Sequence, residues 1–359
     1  MSKPILLVTL DYSPNLGGVA RYLSSIARVF SDEMIVIAPW VEGEKETATL
    51  WRKKLLYKHF RPAWLATVFL LIKHKNDYRS VLVSHVLPIG FAAYLARFIT
   101  RKPYSVIVHG LDVALARKSW RKRMLMQLVL RNAKVVIANS EVLANEVVEL
   151  DGAKKVIPLL PPLNLPSTPP IIKNESPWKV LLSVSRLVSR KGHSRVFEAL
   201  SHLRANNLLP NVSYIIVGEG TERNVLEYQV KELGLEDVVV FYGAVADEDL
   251  PRVYGIADVF VLPTVVDSVD REGFGYVYVE AAMYGVPSIA TDSSGVNEAV
   301  LHNQTGLLVP DDNIDELAKA IYKLLTQNET RTRLGETAQK RVFSDFDENE
   351  TFAILKELL

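Results

Sequence analysis

At 359 residues the chain is long enough to expect two domains, and 48% hydrophobic with 23% charged residues is an ordinary globular composition. It has no cysteine, which excludes disulfides, thiolate metal sites and a cysteine nucleophile and fits a reducing compartment. The net charge of +1 hides a segregation: residues 1–165 hold 24 Lys+Arg against 12 Asp+Glu, the remainder 18 against 29.

A basic first half suits a polyanionic partner, nucleic acid or an anionic membrane surface; the plainer reading is solubility alone. The apolar stretch at 5–10 is short and is stopped by Asp11, so no signal peptide is expected. No run reaches the roughly 18 apolar residues of a membrane span. The expected location is cytoplasmic, with peripheral attachment to the cytoplasmic face of the membrane as the added possibility.

Residues 3–10 read as a parallel strand buried on both faces. Gly17 and Gly18 follow and open a helix over 20–30, the strand–turn–helix arrangement that favours an anion. A glycine pair alone is weak evidence, since most are tight turns. A strand over 34–39 comes next. Residues 51–73 interleave Lys and Arg with Trp51, Leu55, Leu56, Tyr57, Phe60 and Trp64, and Pro62 divides them into two helices or a helix and a loop. Such a segment suits a membrane interface, or else a basic-faced helix packed on the sheet. Residues 117–123 repeat the pattern around Trp120, and two such patches favour membrane contact over a merely packed basic-faced helix; nucleic acid is not an expected partner.

Strands at 80–84, 104–108, 134–138 and 154–158 alternate with helices at 89–99, 120–131 and 140–150, which predicts a doubly wound parallel sheet. His109 stands at the carboxyl end of one of these strands, where ligands bind in open α/β sheets. Seven prolines between 158 and 177 mark a linker. A second α/β series follows, with strands at 178–183, 213–217, 238–241, 259–262, 287–290 and 306–309 and helices to 204, at 315–326, 329–343 and 346–359. Arg186 and Lys191 follow the first of these strands, and a guanidinium plus an ammonium suits a diphosphate. Gly218 and Gly220 lack the third glycine of a dinucleotide fingerprint and read as a turn.

The densest stretch is 263–285. A strand empties into a loop, then come Glu272, Gly273, Phe274 and Gly275, then a helix carrying Glu280. Glycines at such a junction let backbone N–H groups approach an anion, while carboxylates hold hydroxyls. With strand carboxyl ends from two α/β domains facing one cleft, Gly17, Gly18 and His109 would meet Arg186, Lys191, Glu272, Gly273, Phe274, Gly275 and Glu280. Cations, backbone amides and carboxylates together describe a nucleotide diphospho-sugar site.

The E-x7-E pattern of Glu272 and Glu280, with G-G-V-A-R at 17–21, S-R-L-V-S-R-K-G at 185–192 and A-T-D-S-S-G-V-N-E at 290–298, resembles the retaining GT-B glycosyltransferases of family 4. The resemblance spans nearly the whole chain, is strongest over 181–310 and is thin over 40–80. It implies two Rossmann-like domains: 1–160 on the acceptor side, a linker at 161–177, a donor-binding domain at 178–343, and a helix at 344–359 crossing back to the first.

It also implies roles. Arg186 and Lys191 neutralise the donor diphosphate, assisted by backbone amides at Gly17, Gly18, Phe274 and Gly275. Glu280 holds the ribose, Glu272 the donor sugar, and His109 contacts that sugar near its O6 or the developing charge. Neither metal nor cofactor is expected, the donor being a UDP- or GDP-linked sugar and the acceptor a glycan or lipid-linked hydroxyl in cell-surface polysaccharide assembly. The chain departs from the family pattern at Gly110, where many relatives have Asp (Asp112 lies two further on), and at Ser294, which replaces a glycine.

Three other readings have their own signatures. A glycosidase using Glu272 and Glu280 leaves Arg186 and Lys191 without a role, and that cation pair would depress the acid's pKa. A sugar-nucleotide epimerase of the same fold would act without an acceptor. A basic binding module for membrane or nucleic acid would leave the donor site idle. The sequence names neither the donor sugar and base nor the acceptor.

Overall fold

The computed structural model describes residues 3–14, 18–57, 62–150, 153, 155–166, 178–266, 274–293 and 295–359. The chain falls into two compact units, Met1–Asn164 with Glu348–Leu359, and Leu165–Asp347. The expected divisions were at 160, 177 and 343.

The first unit is built on seven parallel strands: β1 (Ile5–Val8), β2 (Met34–Pro39), β3 (Leu50–Lys53), β4 (Ser80–Val83), β5 (Tyr104–Val108), β6 (Val136–Ala138) and β7 (Val156–Pro158). Their order is β3-β2-β1-β4-β5-β6-β7. β1 has no polar face because both faces are covered: Leu6 and Val8 join a core with Val83, Val106 and Val129, while Ile5 and Leu7 join one with Leu23, Leu82 and Ile137. The chain winds outward from β1 to β3, then restarts beside β1 at β4. This reversal leaves a crevice beyond the carboxyl ends of β1 and β4, where open α/β sheets bind ligands.

The terminal helix Glu348–Leu358 belongs to this unit. Phe352 and Leu355 are buried in its second core, at roughly 1.5–3 kcal/mol each. Phe30 meets Phe352 edge-on at 6.4 Å, and Arg28 holds the Glu348 carboxylate with two bonds of 2.9 and 2.7 Å.

Residues 51–73 require a correction. Among the described residues of this stretch are edge strand β3 and helix Leu65–Lys73, where two helices or a helix and a loop were expected. Leu50 to Lys53 pair with Val36 to Pro39, and a parallel register alternates side chains between faces. Arg52, a candidate membrane contact, is therefore only 4% exposed and donates to the carbonyls of Ser13 and Pro39. Trp51 packs on His74 at 4.9 Å and Trp64 on Phe91 at 5.1 Å, so neither is a free interfacial anchor. Phe60 lies outside the described residues.

The second unit holds six parallel strands: β8 (Lys179–Val184), β9 (Val212–Val217), β10 (Val239–Gly243), β11 (Val259–Leu262), β12 (Ser288–Thr291) and β13 (Gly306–Val309). The order β10-β9-β8-β11-β12-β13 puts its reversal between β8 and β11. Helices His193–Ala205 and Ile314–Thr326 close one face over Leu181, Ile216, Val261 and Ile289. Four helices went unread in the sequence: Leu111–Arg117, Arg223–Glu232, Leu250–Gly255 and Val296–Ala299.

Candidate active site

In the second unit β8 ends at Val184, and the chain turns through Ser185–Val188 into a single 3-10 turn, Ser189–Lys191, before helix His193–Ala205. Three glycines let backbone lie on backbone here. A Cβ on Gly192 would stand 2.0 Å from the Pro263 carbonyl oxygen, one on Gly218 1.9 Å from that of Ser185, and one on Gly220 2.2 Å from that of Leu187. Gly218 and Gly220 thus form a turn that buttresses the β8 loop. The Leu187 N–H donates to the Glu219 carbonyl at 2.9 Å, and the Val265 N–H to the Arg190 carbonyl at 2.8 Å. The loops leaving β8, β9 and β11 are locked together at the reversal. This frame holds Lys191, 8% exposed, and the exposed Arg186 on one short turn.

Beyond β11 the described chain resumes at Phe274. Gly275 takes the left-handed φ of +81° and starts helix Tyr276–Met283. The Tyr278 hydroxyl donates to the Leu262 carbonyl at 2.6 Å, tying this helix to the end of β11. Glu280, 8% exposed, accepts 2.6 Å from the Tyr254 hydroxyl, whose ring stacks on Tyr284 at 5.8 Å. Phe274 packs its ring against Phe346 at 5.9 Å. Glu272 and Gly273 lie outside the described residues.

In the first unit the loops after β1, β4 and β5 bring a second polar cluster to the reversal. Gly17 lies outside the described residues, and Gly18 begins helix Gly18–Val29. The Thr9 hydroxyl donates to the Asp11 carbonyl (2.9 Å), and Ser84 Oγ donates to Thr9 Oγ1 (2.8 Å). The Ser84 hydrogen is thereby committed. Its oxygen, 2.8 Å from His85 Nδ1, accepts from that nitrogen and leaves His85 Nε2 with a lone pair. His85 escaped the sequence reading because the Thr9 hydroxyl that orients its partner Ser84, and the His109 ring beside it, belong to other elements.

The ring of His109 lies 6.2 Å from that of His85 and 6.4 Å from that of Tyr22. Burial, with His85 adding to it, pushes the His109 pKa down to about 3, so the ring is neutral at ordinary pH. Asp112 moves the other way, raised to about 7 by burial against hydrogen bonds from the His109 and Val86 main chain. His109 Nε2, the Tyr22 hydroxyl and Asn139 Oδ1 are buried with no hydrogen-bond partner among the described residues. Leaving such an atom unmet costs about 1–3 kcal/mol, which a ligand's hydroxyl would recover. Tyr22 and Asn139 also went unread: a buried aromatic and a strand-end amide are ordinary until their polar atoms prove unmet.

Among the described residues no group of three or more His, Asp or Glu is placed to hold a metal ion. No helix among them is long and apolar enough to cross a membrane.

Comparison with known proteins supplies the family. Residues 169–341 match the family model described as Glycosyl transferases group 1, and residues 17–162 that described as Glycosyl transferase 4-like domain. The GDP-mannose-dependent alpha-(1-6)-phosphatidylinositol monomannoside mannosyltransferase of Mycolicibacterium smegmatis is 27% identical over 99% of this chain and 98% of its own. Mannosylfructose-phosphate synthase of Agrobacterium fabrum is 27% identical over 82% of this chain and 71% of its own. Among solved structures, sucrose-phosphate synthase from Thermosynechococcus elongatus superposes with a TM-score of 0.84 at 22% identity, covering 99% of this chain and 98% of that one. Anabaena HepE in complex with UDP gives 0.81 at 23%, with the same coverage. The two parallel α/β units are of the GT-B fold class. The chain belongs to the group 1 glycosyltransferases of family 4, which makes it a nucleotide-sugar-dependent glycosyltransferase.

Proposed function

We propose that the protein is a retaining, metal-independent glycosyltransferase that moves a sugar from a UDP- or GDP-linked donor to a hydroxyl of a lipid-linked glycan or glycolipid. The observation that carries this reading is the placement of Arg186 and Lys191 on the turn leaving β8, at the reversal of the second sheet. As the bond from the anomeric carbon to the diphosphate oxygen breaks, negative charge grows on that oxygen. Two fixed cations stabilise it more than they stabilise the intact donor. The acceptor oxygen forms its new bond on the same face of the sugar, and its proton passes to the departing phosphate. Arg186 and Lys191 supply positive charge where other transferases place a divalent cation.

Glu280 holds ribose hydroxyls, its carboxylate fixed by Tyr254, and backbone amides at Gly18, Phe274 and Gly275 assist the phosphates. Glu272 positions the donor sugar. His109 Nε2 takes a sugar hydroxyl as a neutral hydrogen-bonding group, and the His85 lone pair serves an acceptor hydroxyl.

The base stays open between two supports, a relative named for GDP-mannose and a fold neighbour solved with UDP. The lipid acceptor rests on the relatives named for phosphatidylinositol monomannoside and on a basic face of the first unit. On helix Trp120–Arg131, Trp120 is 71% exposed and Met124 55%, beside exposed Arg121, Lys122 and Arg123. That combination suits peripheral attachment to an anionic bilayer.

The test is incubation with a panel of UDP- and GDP-sugars, with and without glycolipid acceptor. Nucleotide release only when acceptor is present, with product retaining the donor's anomeric configuration by NMR, supports the reading. Release without acceptor points to the epimerase instead, and inverted product removes the same-face mechanism. Flotation with anionic but not neutral vesicles, lost on neutralising Arg121, Lys122 and Arg123, tests attachment; equal binding to both would end that part of the reading.

A further inference from the structure

We infer that His193 is a positioning residue for Arg186: a buried hydrogen-bonded chain running through the second sheet ends on the corner that carries this cation. The inference rests on the reading of Arg186 as a diphosphate ligand. The chain has four links. Ser183 Oγ, on β8, contacts the Val261 carbonyl of β11; the Tyr214 hydroxyl, on β9, lies 2.7 Å from Ser183 Oγ; His193 Nδ1 lies 3.2 Å from that hydroxyl; and His193 Nε2 lies 2.9 Å from Ser185 Oγ. Ser183 and Tyr214 are 0% exposed and His193 2%.

The far end fixes the direction of every bond. A backbone carbonyl only accepts, so Ser183 donates to Val261. The Tyr214 hydroxyl then donates to Ser183, the Nδ1–H of His193 to Tyr214, and the Ser185 hydroxyl to Nε2. Every link then has a donor and an acceptor, and the Ser185 hydroxyl hydrogen is shared between His193 Nε2 at 2.9 Å and the Arg186 carbonyl at 3.2 Å. The arrangement requires a neutral imidazole. Burial, reinforced by Lys191 two residues away, pushes the His193 pKa down to about 4 and keeps it so. Phe197 meets the Tyr214 ring at 6.0 Å and holds it in place.

The terminus of this chain is Ser185, whose carbonyl carbon is bonded to the Arg186 nitrogen. The Ser185 N–H donates to Val217 and the Leu187 N–H to Glu219, at 3.0 and 2.9 Å, so the main chain is anchored on both sides of Arg186. The His193 bond is the side-chain anchor of the same corner. The two ring nitrogens of His193 are both accounted for by this relay. An exposed arginine gives up side-chain entropy when it binds, and a fixed backbone origin limits how much of its reach is wasted.

The experiment titrates UDP and GDP, and UMP and GMP, into the full chain and into His193→Phe, Tyr214→Phe, Arg186→Ala and the double variant His193→Phe/Arg186→Ala. The expected result is that His193→Phe weakens the preferred nucleoside diphosphate about tenfold, leaves the monophosphate within about twofold, and adds nothing once Arg186 is gone. Tyr214→Phe, which keeps the ring and removes only the hydroxyl, shifts the diphosphate in the same direction and serves if the phenylalanine variant does not fold. Equal weakening of monophosphate and diphosphate, or a full additional loss in the Arg186→Ala background, would overturn the inference. If Arg186→Ala alone leaves diphosphate binding unchanged, the reading of Arg186 itself is wrong and the inference goes with it.

Discussion

The two sheets reverse direction in the same way, yet the chemistry gathered at the two reversals is opposite. At the β8/β11 reversal the scaffold is saturated: a relay from Val261 to Ser185 uses every hydrogen it has, and cations stand on its rim. Around the β1/β4 reversal the polar atoms are partly unmet: His109 Nε2 and the Tyr22 hydroxyl lack partners among the described residues, as does Asn139 Oδ1 just beyond β6. A charged ligand is strongly hydrated and needs stiff, preorganised charge to displace its water. A polyhydroxyl ligand needs donors and acceptors left open. The difference fits a diphosphate for the second unit's reversal and hydroxyls for the first unit's.

The largest effect that would break this comparison is on turnover. Lys191→Ala should lower kcat/KM by about 10²–10³-fold, as loss of one transition-state charge partner does elsewhere, with little change in melting temperature. His109→Ala should lower turnover without changing affinity for free nucleoside diphosphate. If both variants weaken UDP or GDP equally, the division of labour is wrong.

Next in size is stability. Phe352→Ala should cost about 3–5 kcal/mol, because the ring is buried in the first unit's core. In urea at low concentration, intrinsic nucleotide binding should outlast the first unit's signal, since the cations belong to the second. Simultaneous loss would show that the units unfold together.

A smaller effect separates the two tyrosines. Tyr214→Phe removes a satisfied hydroxyl from the buried relay and should cost about 1–2 kcal/mol. Tyr22→Phe removes an unmet one and should leave stability unchanged or raise it, while turnover falls. A cost for Tyr22→Phe as large as for Tyr214→Phe would mean the hydroxyl is satisfied.

The smallest effect is in pH dependence. Asp112, ordinarily near 3.8 and raised to about 7, contributes stability that is full below pH 3.8 and lost as pH rises toward 7. His109, ordinarily 6.5 and lowered to about 3, contributes stability present above 6.5 and lost as pH falls toward 3. Between pH 3.8 and 6.5 the two slopes oppose each other. Asp112→Asn should therefore leave a melting temperature that falls more steeply on acidification, and His109→Gln one that falls as pH rises. Unchanged profiles in both variants would mean that neither group is desolvated.

The fold was legible because a parallel strand covered on both faces reads as an unbroken apolar run; 34–39, 104–108, 259–262 and 306–309 coincide with strands to the residue. Residues 50–53 did not, since Arg52 in an edge strand looks like surface charge until its guanidinium is seen folded over carbonyls. Helix Leu111–Arg117 has under two turns, too few for a 3.6-residue period to stand out. Arg186, Lys191, Glu280 and His109 could be picked out as candidates because each follows a strand or glycine turn. Tyr254, Ser84 and His193 act through partners 26, 75 and 21 residues away, a separation no local pattern encodes.

The central claim is that Arg186 and Lys191 bind the donor's diphosphate. Its most direct test is calorimetric titration of UDP and GDP into the intact chain and into Arg186→Ala/Lys191→Ala. Binding of one nucleoside diphosphate to the intact chain, weakened about a hundredfold or more in the double variant while the nucleoside alone is unaffected, is the predicted result. Equal affinity of the two proteins for the diphosphate would contradict it.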